Sequence, residues 1–167
     1  MTAPRILVVD DDHFTRTLFD GLLRDRCEVL TLAETGAEAR AAFASGDFNL
    51  ILMDQRLPDA DGLDLLREFR AQRPRLVAIM VTGHADVQDA MRAVREGLFD
   101  YRTKPFEDLD DLERVIDKAL EMDRAYREID RLRAEVAGPK LIAASPAMTR
   151  LVDQIRQVAT LDTTVLL

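Results

Sequence analysis

The sequence predicts an α/β fold, a doubly wound five-stranded parallel sheet. Three observations carry that expectation. Five short apolar runs, at 5–9, 27–32, 50–53, 76–81 and 98–101, alternate with stretches of helical periodicity. The runs at 5–9, 50–53 and 76–81 are almost continuously apolar rather than alternating, as strands covered on both faces are. Residues with chemistry to offer stand at the carboxyl ends of runs: Asp10 and Asp11, Asp54, Thr82, and Lys104 just after the last. Strands separated by helices imply right-handed crossovers, and such sheets bind ligands beyond the carboxyl ends of their strands. One such residue is a turn former; four such positions in one chain point to a site.

The elements follow in order. Arg5-Ile6-Leu7-Val8-Val9 is a buried strand stopped by Asp10-Asp11-Asp12. Asp12, past the strand end, is the expected cap of the first helix, whose apolar face is expected from Phe14, Leu18 and Leu22. Cys27 opens the second strand as a small core residue. Thr35-Gly36-Ala37-Glu38 reads as a capping box, with Gly46 as the stop of that helix. The third strand ends on Asp54, and the turn-rich segment holding Pro58, Asp59, Asp61 and Gly62 leads into a helix lined by Leu63, Leu66 and Phe69 and ending before Pro74. After the fourth strand, closed by Thr82-Gly83, a helix is expected to face inward with Val87, Ala90, Met91 and Val94 and to end at Gly97.

The last helix is predicted from Asp108 to about Ala137, acidic in its first turn and carrying Arg127, Arg131 and Arg133 later, as the helix dipole favours. Val115, Ala119, Met122, Tyr126 and Ile129 alternate spacings of four and three, a short heptad seam broken by Arg133. At about 1.5 Å of rise per residue, the part beyond Met122 is expected to run out of reach of the sheet and to meet a second copy of the chain. A homodimer through Met122, Tyr126 and Ile129 is therefore expected. Gly138-Pro139 breaks the helix, and the apolar stripe of Met148, Leu151, Val152, Ile155 and Val158 opens a further domain.

Composition narrows the function. Of 167 residues, 47% are hydrophobic and 32% charged, enough for a packed core. The formal net charge of -8 argues against a general nucleic-acid surface, so no direct nucleic-acid binding is expected of this stretch. A single cysteine excludes an internal disulfide. No apolar run has the length of a membrane helix and no signal peptide is read at the start, so no membrane partner is expected and the default location is cytoplasmic.

Three carboxylates converging at one sheet edge repel one another unless a cation joins them. Oxygen-only ligands suit Mg²⁺, whereas Zn²⁺ would want His or Cys, and neither His13 nor His84 has a spaced partner. Mg²⁺ on Asp10, Asp11 and Asp54, the ammonium of Lys104 and the hydroxyl of Thr82 together provide what a phosphoryl group needs for positioning and charge neutralisation. Asp54 is then a nucleophile that accepts phosphoryl as an acyl phosphate.

These residues carry a resemblance. VVDDD at 8–12, MDQRLPDADG at 53–62, VTG at 81–83 and KPF at 104–106 make the stretch from Arg5 to about Met122 similar to the receiver domain of bacterial two-component response regulators. The resemblance implies a flavodoxin-like sheet of order 2-1-3-4-5, Asp54 as phosphoacceptor, Asp10 and Asp11 as the acidic pair, and the backbone carbonyl of Arg56 as a further Mg²⁺ ligand. Thr82 and Lys104 match the phosphoryl-sensing pair, and Tyr101 the aromatic that swings inward on phosphorylation. It also implies a sensor histidine kinase as donor. A cis Lys104–Pro105 peptide is expected, since X–Pro bonds tolerate it and receivers resemble this segment there. Arg56 and His84 match the positions that tune dephosphorylation, and their bulk implies a slow loss.

The tail from Leu141 to Leu167 resembles the opening of the AAA+ ATPase domain of NtrC-type regulators, which act with the sigma-54 form of RNA polymerase at enhancer DNA. The expected division is a receiver at 1–122, a linker helix at 123–138 and the first piece of the ATPase domain at 139–167. No Gly-x-x-x-x-Gly-Lys occurs, so ATP hydrolysis is not expected of this chain, which reads as a regulator cut short before its ATPase loop and DNA-binding helices. Two other classes compete. A phosphohydrolase with an aspartyl nucleophile wants a second Asp two residues on, where Arg56 stands. A phosphorylation-independent pseudo-receiver, acting as a dimerisation module, would have lost Asp54, Lys104 or the acidic pair, and none is lost.

Overall fold

The computed structural model describes residues 3–83 and 87–136. His84, the helix break at Gly138 and the stretch 139–167 expected to open an ATPase domain lie outside the described residues. The chain divides into two compact units, Met1–Glu128 and Ile129–Leu167.

The first unit alternates strand and helix: β1 (Arg5–Val9), α1 (His13–Leu23), β2 (Val29–Ala33), α2 (Gly36–Ser45), β3 (Leu50–Asp54), α3 (Gly62–Gln72), β4 (Val77–Thr82), α4 (Val87–Arg95), β5 (Asp100–Thr103) and α5 (Leu109–Val136), the last helix running on into the second unit. All strand pairs are parallel and the sheet order is β2-β1-β3-β4-β5, as expected. The chain reverses direction across the sheet between β1 and β3, which is where such sheets open a binding crevice.

Strand alternation sorts the core into two layers. Leu7, Val9, Ile51, Met53, Ala78 and Met80 pack on one face with Leu63, Leu66 and Phe69 of α3 and Phe43 of α2. Ile6, Val8, Leu50, Leu52, Ile79 and Val81 pack on the other with Phe19 and Leu23 of α1 and Leu112, Ile116 and Ala119 of α5. Phe43 and Phe69 stack at 4.1 Å, and Phe19 meets Phe106 edge-on at 5.7 Å. Truncating one such buried ring to alanine typically costs about 3–5 kcal/mol.

The helix ends follow their local chemistry. Asp12 caps α1, accepting from Phe14 N and Thr15 N and from the Thr15 hydroxyl. Thr35 caps α2 through Glu38 N, while the Glu38 carboxylate reaches back to Glu34 N rather than to Thr35 N. Gly97 closes α4 at φ +68°, a left-handed position that glycine takes without strain.

Four expectations are corrected. The buried face of α1 is Thr15, Arg16, Phe19 and Leu23; of the expected Phe14, Leu18 and Leu22, Phe14 is 76% exposed, Leu18 is half-buried, and Leu22 packs at the margin of the core. Both sets recur at four-residue spacing, and the cap at Asp12 fixes which one meets the sheet. On α4, Ala93 is buried while Met91 and Val94 are exposed. There the inward-turned charges decide: Arg92 pairs with Asp61 and Asp64, and small Ala93 lets the helix approach. β5 begins two residues later than expected, because Leu98 and Phe99 serve as core approach and Phe99 N bonds Ala78 O. Finally, the domain's own surface reaches beyond Met122. Asp123 is buried, Tyr126 packs against the core, and Arg127 bonds Asp47 and the Phe48 carbonyl. The loop before β3 projects at the amino edge of the sheet and meets the helix there.

In the second unit, the described residues are helical, with Arg131 paired to Glu135 at 2.5 Å and with Ile129 and Leu132 exposed. Among the described residues no helix is long and apolar enough to cross a membrane.

Candidate functional site

Register and pleat build the site. β1 and β3 pair Ile6 with Leu50 and Val8 with Leu52, so two residues further along the same face stand Asp10 and Asp54. Asp54 pairs with Val81, and Val81 with Arg102. Two residues past Arg102, on the same face by alternation, is Lys104. The segment is pinned beside β4 by Lys104 N donating to Thr82 O at 2.8 Å, and the Lys104–Pro105 bond is cis. Asp10 and Asp54 are buried, at 1% and 7% exposure, whereas Asp11 is open to solvent.

The Lys104 ammonium lies 2.6 Å from Asp10 Oδ2 and 2.8 Å from Asp54 Oδ2. Its bond to Asp54 is well aligned. Its approach to Asp10 is not, so Asp10 Oδ2 is a buried oxygen in charge contact but without an aligned donor. Burial pushes the Asp10 carboxyl above the usual aspartate range; contact with Lys104 and the Asp12 N–H oppose it and the Asp54 charge adds to it. Burial depresses Lys104, but Asp10 and Asp54 outweigh it and hold the ammonium above the ordinary lysine value.

Asp10, Asp11 and Asp54 each offer an oxygen, all within 4.8 Å of one another. The three clustered carboxylates outnumber the one ammonium that touches two of them. A hard divalent cation with oxygen ligands fits this donor set and the unaligned Asp10 oxygen. The loop after Asp54 is rigidly closed. Arg56 N donates to Asp54 Oδ1 at 3.0 Å, and Leu57 N→Ala60 O and Gly62 N→Gln55 O bonds close an Arg56–Asp61 bridge. The Arg56 carbonyl takes no part in that closure. Any Cβ at Gly62 would lie 2.2 Å from the Asp54 carbonyl oxygen, so the glycine at 62 is dictated by that close approach.

Thr82 is fully buried at the end of β4. Tyr101 is half-buried on the opposite face of the sheet from Asp54, next to Met80 in register. Of the expected seam, Met122 and Ile129 are exposed and Tyr126 is half-buried against its own domain.

Residues 6–117 match the family described as the response regulator receiver domain. The chain belongs to that family. It is 36% identical over 163 residues to the transcriptional regulatory protein ZraR of Salmonella typhimurium, covering 97% of this chain and 36% of that protein. To the DNA-binding transcriptional regulator NtrC of the same organism it is 36% identical over 146 residues, covering 86% of this chain and 30% of that one. Among solved structures, NtrX from Brucella abortus superposes with a TM-score of 0.71 at 36% identity, over 95% of this chain and 35% of that one. The chain spans about a third of the length of the curated relatives it matches. It is a receiver related to NtrC-type regulators.

Sequence reasoning on this receiver missed three residues. Gln55, 3% exposed, accepts a hydrogen bond from Tyr101 Oη at 3.1 Å. Asp59 reaches from the site loop to the start of α2, accepting from Gly36 N and Ala37 N at 2.7 and 2.9 Å. Arg16, 7% exposed, donates to the Asp10 carbonyl at 2.7 Å and pairs with Glu34. An arginine at four-residue spacing from Phe19's neighbours gave no signal. A glutamine two places beyond Met53 on an apolar face did.

Proposed function

We propose that this receiver accepts a phosphoryl group on Asp54 from the phosphohistidine of a sensor histidine kinase, with Mg²⁺ as the ion held by Asp10, Asp11, Asp54 and the Arg56 carbonyl. The observation that carries the reading is the bridging of Asp10 and Asp54 by one half-buried ammonium beside a third carboxylate. In the transfer, an Asp54 carboxylate oxygen bonds to phosphorus as the phosphorus–nitrogen bond to the histidine breaks. When bound, Mg²⁺ neutralises phosphoryl and carboxylate oxygens. Lys104 supplies a compact positive charge, Thr82 a hydroxyl, and the closed loop holds Asp54 still. The buried, apolar surroundings of Asp54 strengthen these charges.

The output proposed is a shift in a homodimer that controls a sigma-54-dependent AAA+ activator at enhancer DNA, with the receiver at 1–122, the linker at 123–138 and the ATPase domain from 139. Met122 and Ile129, both exposed, support a helical seam there. Because Arg127 fastens the helix to its own domain, the informative truncation ends at Glu128 rather than at the receiver boundary. Light scattering at tens of micromolar (~10⁻⁵ M) should give a dimer for the full chain and a weaker or absent dimer for the shorter one; equal association in both excludes the part of the seam beyond Glu128.

Acetyl phosphate labelling read by intact mass tests the site. One phosphoryl adduct is expected with Mg²⁺, none with chelator, and none in Asp54→Asn. Labelling of the variant equal to that of the parent would remove Asp54 from the mechanism, and an unlabelled parent would favour the pseudo-receiver.

A further inference from the structure

The chemistry proposed for Asp54 leaves Gln55 without a role, although its position is specific. Alternation along β3 puts Ile51, Met53 and Gln55 on one face, and register puts Met53 beside Met80 and Met80 beside Tyr101. Gln55 is thus an amide at the end of an apolar row, 3% exposed. A buried amide needs partners. The Tyr101 hydroxyl provides one, donating to Gln55 Oε1 at 3.1 Å across 46 residues of sequence.

Gln55 is also tied to Asp54 through the backbone. Its carbonyl accepts from Gly62 N at 2.7 Å, and the next amide, Arg56 N, holds Asp54 Oδ1 at 3.0 Å. A change at the Asp54 carboxylate therefore acts on the peptide that carries Gln55.

We infer that Gln55 is the inward latch of Tyr101: its side-chain carbonyl sets how much of the time the phenol lies buried, and it links that ring to the carboxylate next door. The contact itself stands on the geometry; what the ring's position signals rests on the receiver reading above. Replacing Gln55 by methionine keeps the length and apolar packing but removes the acceptor. Losing that acceptor removes one of the bonds that hold the half-buried ring inward, which favours turning toward water.

The chain has two tyrosines, Tyr101 and Tyr126, so 3-fluorotyrosine labelling in a Tyr126→Phe background gives one fluorine signal. In Gln55→Met the water/deuterium-oxide isotope shift of that signal should at least double, about the change expected when a ring moves from half-buried to open. An unchanged shift in a folded variant overturns the latch. If Gln55→Met does not fold, Tyr101→Phe serves: the Gln55 side-chain amide signals should move more than those of any other glutamine or asparagine, and unmoved signals overturn the latch. Acetyl phosphate labelling on the same samples separates the two ideas. Uptake on Asp54 with an unmoved Tyr101 signal defeats the latch alone. A moved signal in a protein whose parent takes no phosphoryl upholds the latch and defeats the phosphoacceptor reading.

Discussion

At the carboxyl edge of the sheet two carboxylates share one ammonium with a third beside them; at the amino edge the charges are matched. There Arg127 Nε lies 2.8 Å from Asp123, its Nη1 lies 2.9 Å from Asp47, and Arg73 also pairs with Asp47 at 2.9 Å. Asn49 completes the cluster, donating to Asp123 at 2.6 Å and accepting from Arg5 N at 2.8 Å. Both clusters contain a carboxylate less than 10% exposed, Asp10 in one and Asp123 in the other. They differ in what satisfies it. Asp123 has hydrogen bonds from a guanidinium and an amide, while Asp10 Oδ2 has a misaligned ammonium. A cluster kept short of positive charge costs the fold stability. The balanced cluster does the opposite work, fastening α5 to the loop before β3.

The comparison is broken most forcefully at Lys104. Lys104→Met leaves Asp10 and Asp54 buried and unanswered, so it should destabilise the metal-free protein by about 3 kcal/mol. Millimolar Mg²⁺ (~10⁻³ M) should restore a large part of that loss, because the same oxygens then have a cation. Phosphoryl uptake should nevertheless fall by about 10²–10³, since the ion does not replace the lysine's own charge on the phosphoryl oxygens. Urea titrations with chelator and with Mg²⁺, and labelling rates by mass, check both parts. Equal destabilisation in the two conditions would mean that the carboxyl edge is as self-sufficient as the amino edge.

Asp123→Ala should be milder and insensitive to metal. It removes the acceptor of Asn49 and one acceptor of Arg127, whose guanidinium keeps Asp47 and the Phe48 carbonyl. A loss of about 2 kcal/mol is expected, the same in chelator and in Mg²⁺. Phosphoryl uptake by Asp54 should be unaltered within about twofold. A Mg²⁺-dependent loss would show that the two edges are coupled through the sheet.

Much of this difference was legible in the sequence. Asp10, Asp11, Asp54 and Lys104 could be read because strand ends are marked by abrupt changes from apolar to charged residues, and the parallel topology then brings those ends together. The amino edge gave no such mark. Asp47, Asn49, Asp123 and Arg127 are ordinary surface residue types, and their meeting depends on how far the loop before β3 projects, which periodicity does not encode. The faces of α1 and α4 escape periodicity for a related reason. Phe14-Leu18-Leu22 and Thr15-Phe19-Leu23 satisfy the same spacing, and only the cap at Asp12 with the edge-on contact of Phe19 and Phe106 selects between them. On α4 the inward-turned arginine replaced the apolar stripe that the pattern favoured.

The smallest effect is in the pH dependence of the amino edge. The Arg127 hydrogen bond, opposed by burial and helped by the charges of Arg127, Arg73 and Arg5, holds the Asp47 carboxyl below the usual aspartate range. A carboxyl depressed in the folded state binds its proton later than in the unfolded chain, whose aspartates titrate near about 3.9. Its contribution to stability is therefore complete above that value and lost as the pH falls through the lower, folded value. Asp47 is well exposed, at 62% of its side chain, so solvent and salt screen most of the interaction. In urea titrations the parent should exceed Asp47→Asn by no more than about 1 kcal/mol at neutral pH. That gap should stay flat above the unfolded aspartate value and close only as the pH falls below it. High salt should shrink it at every pH. A gap that widens on acidification would mean that Asp47 is held protonated rather than ionised in the fold, and the amino edge would then be as strained as the carboxyl edge.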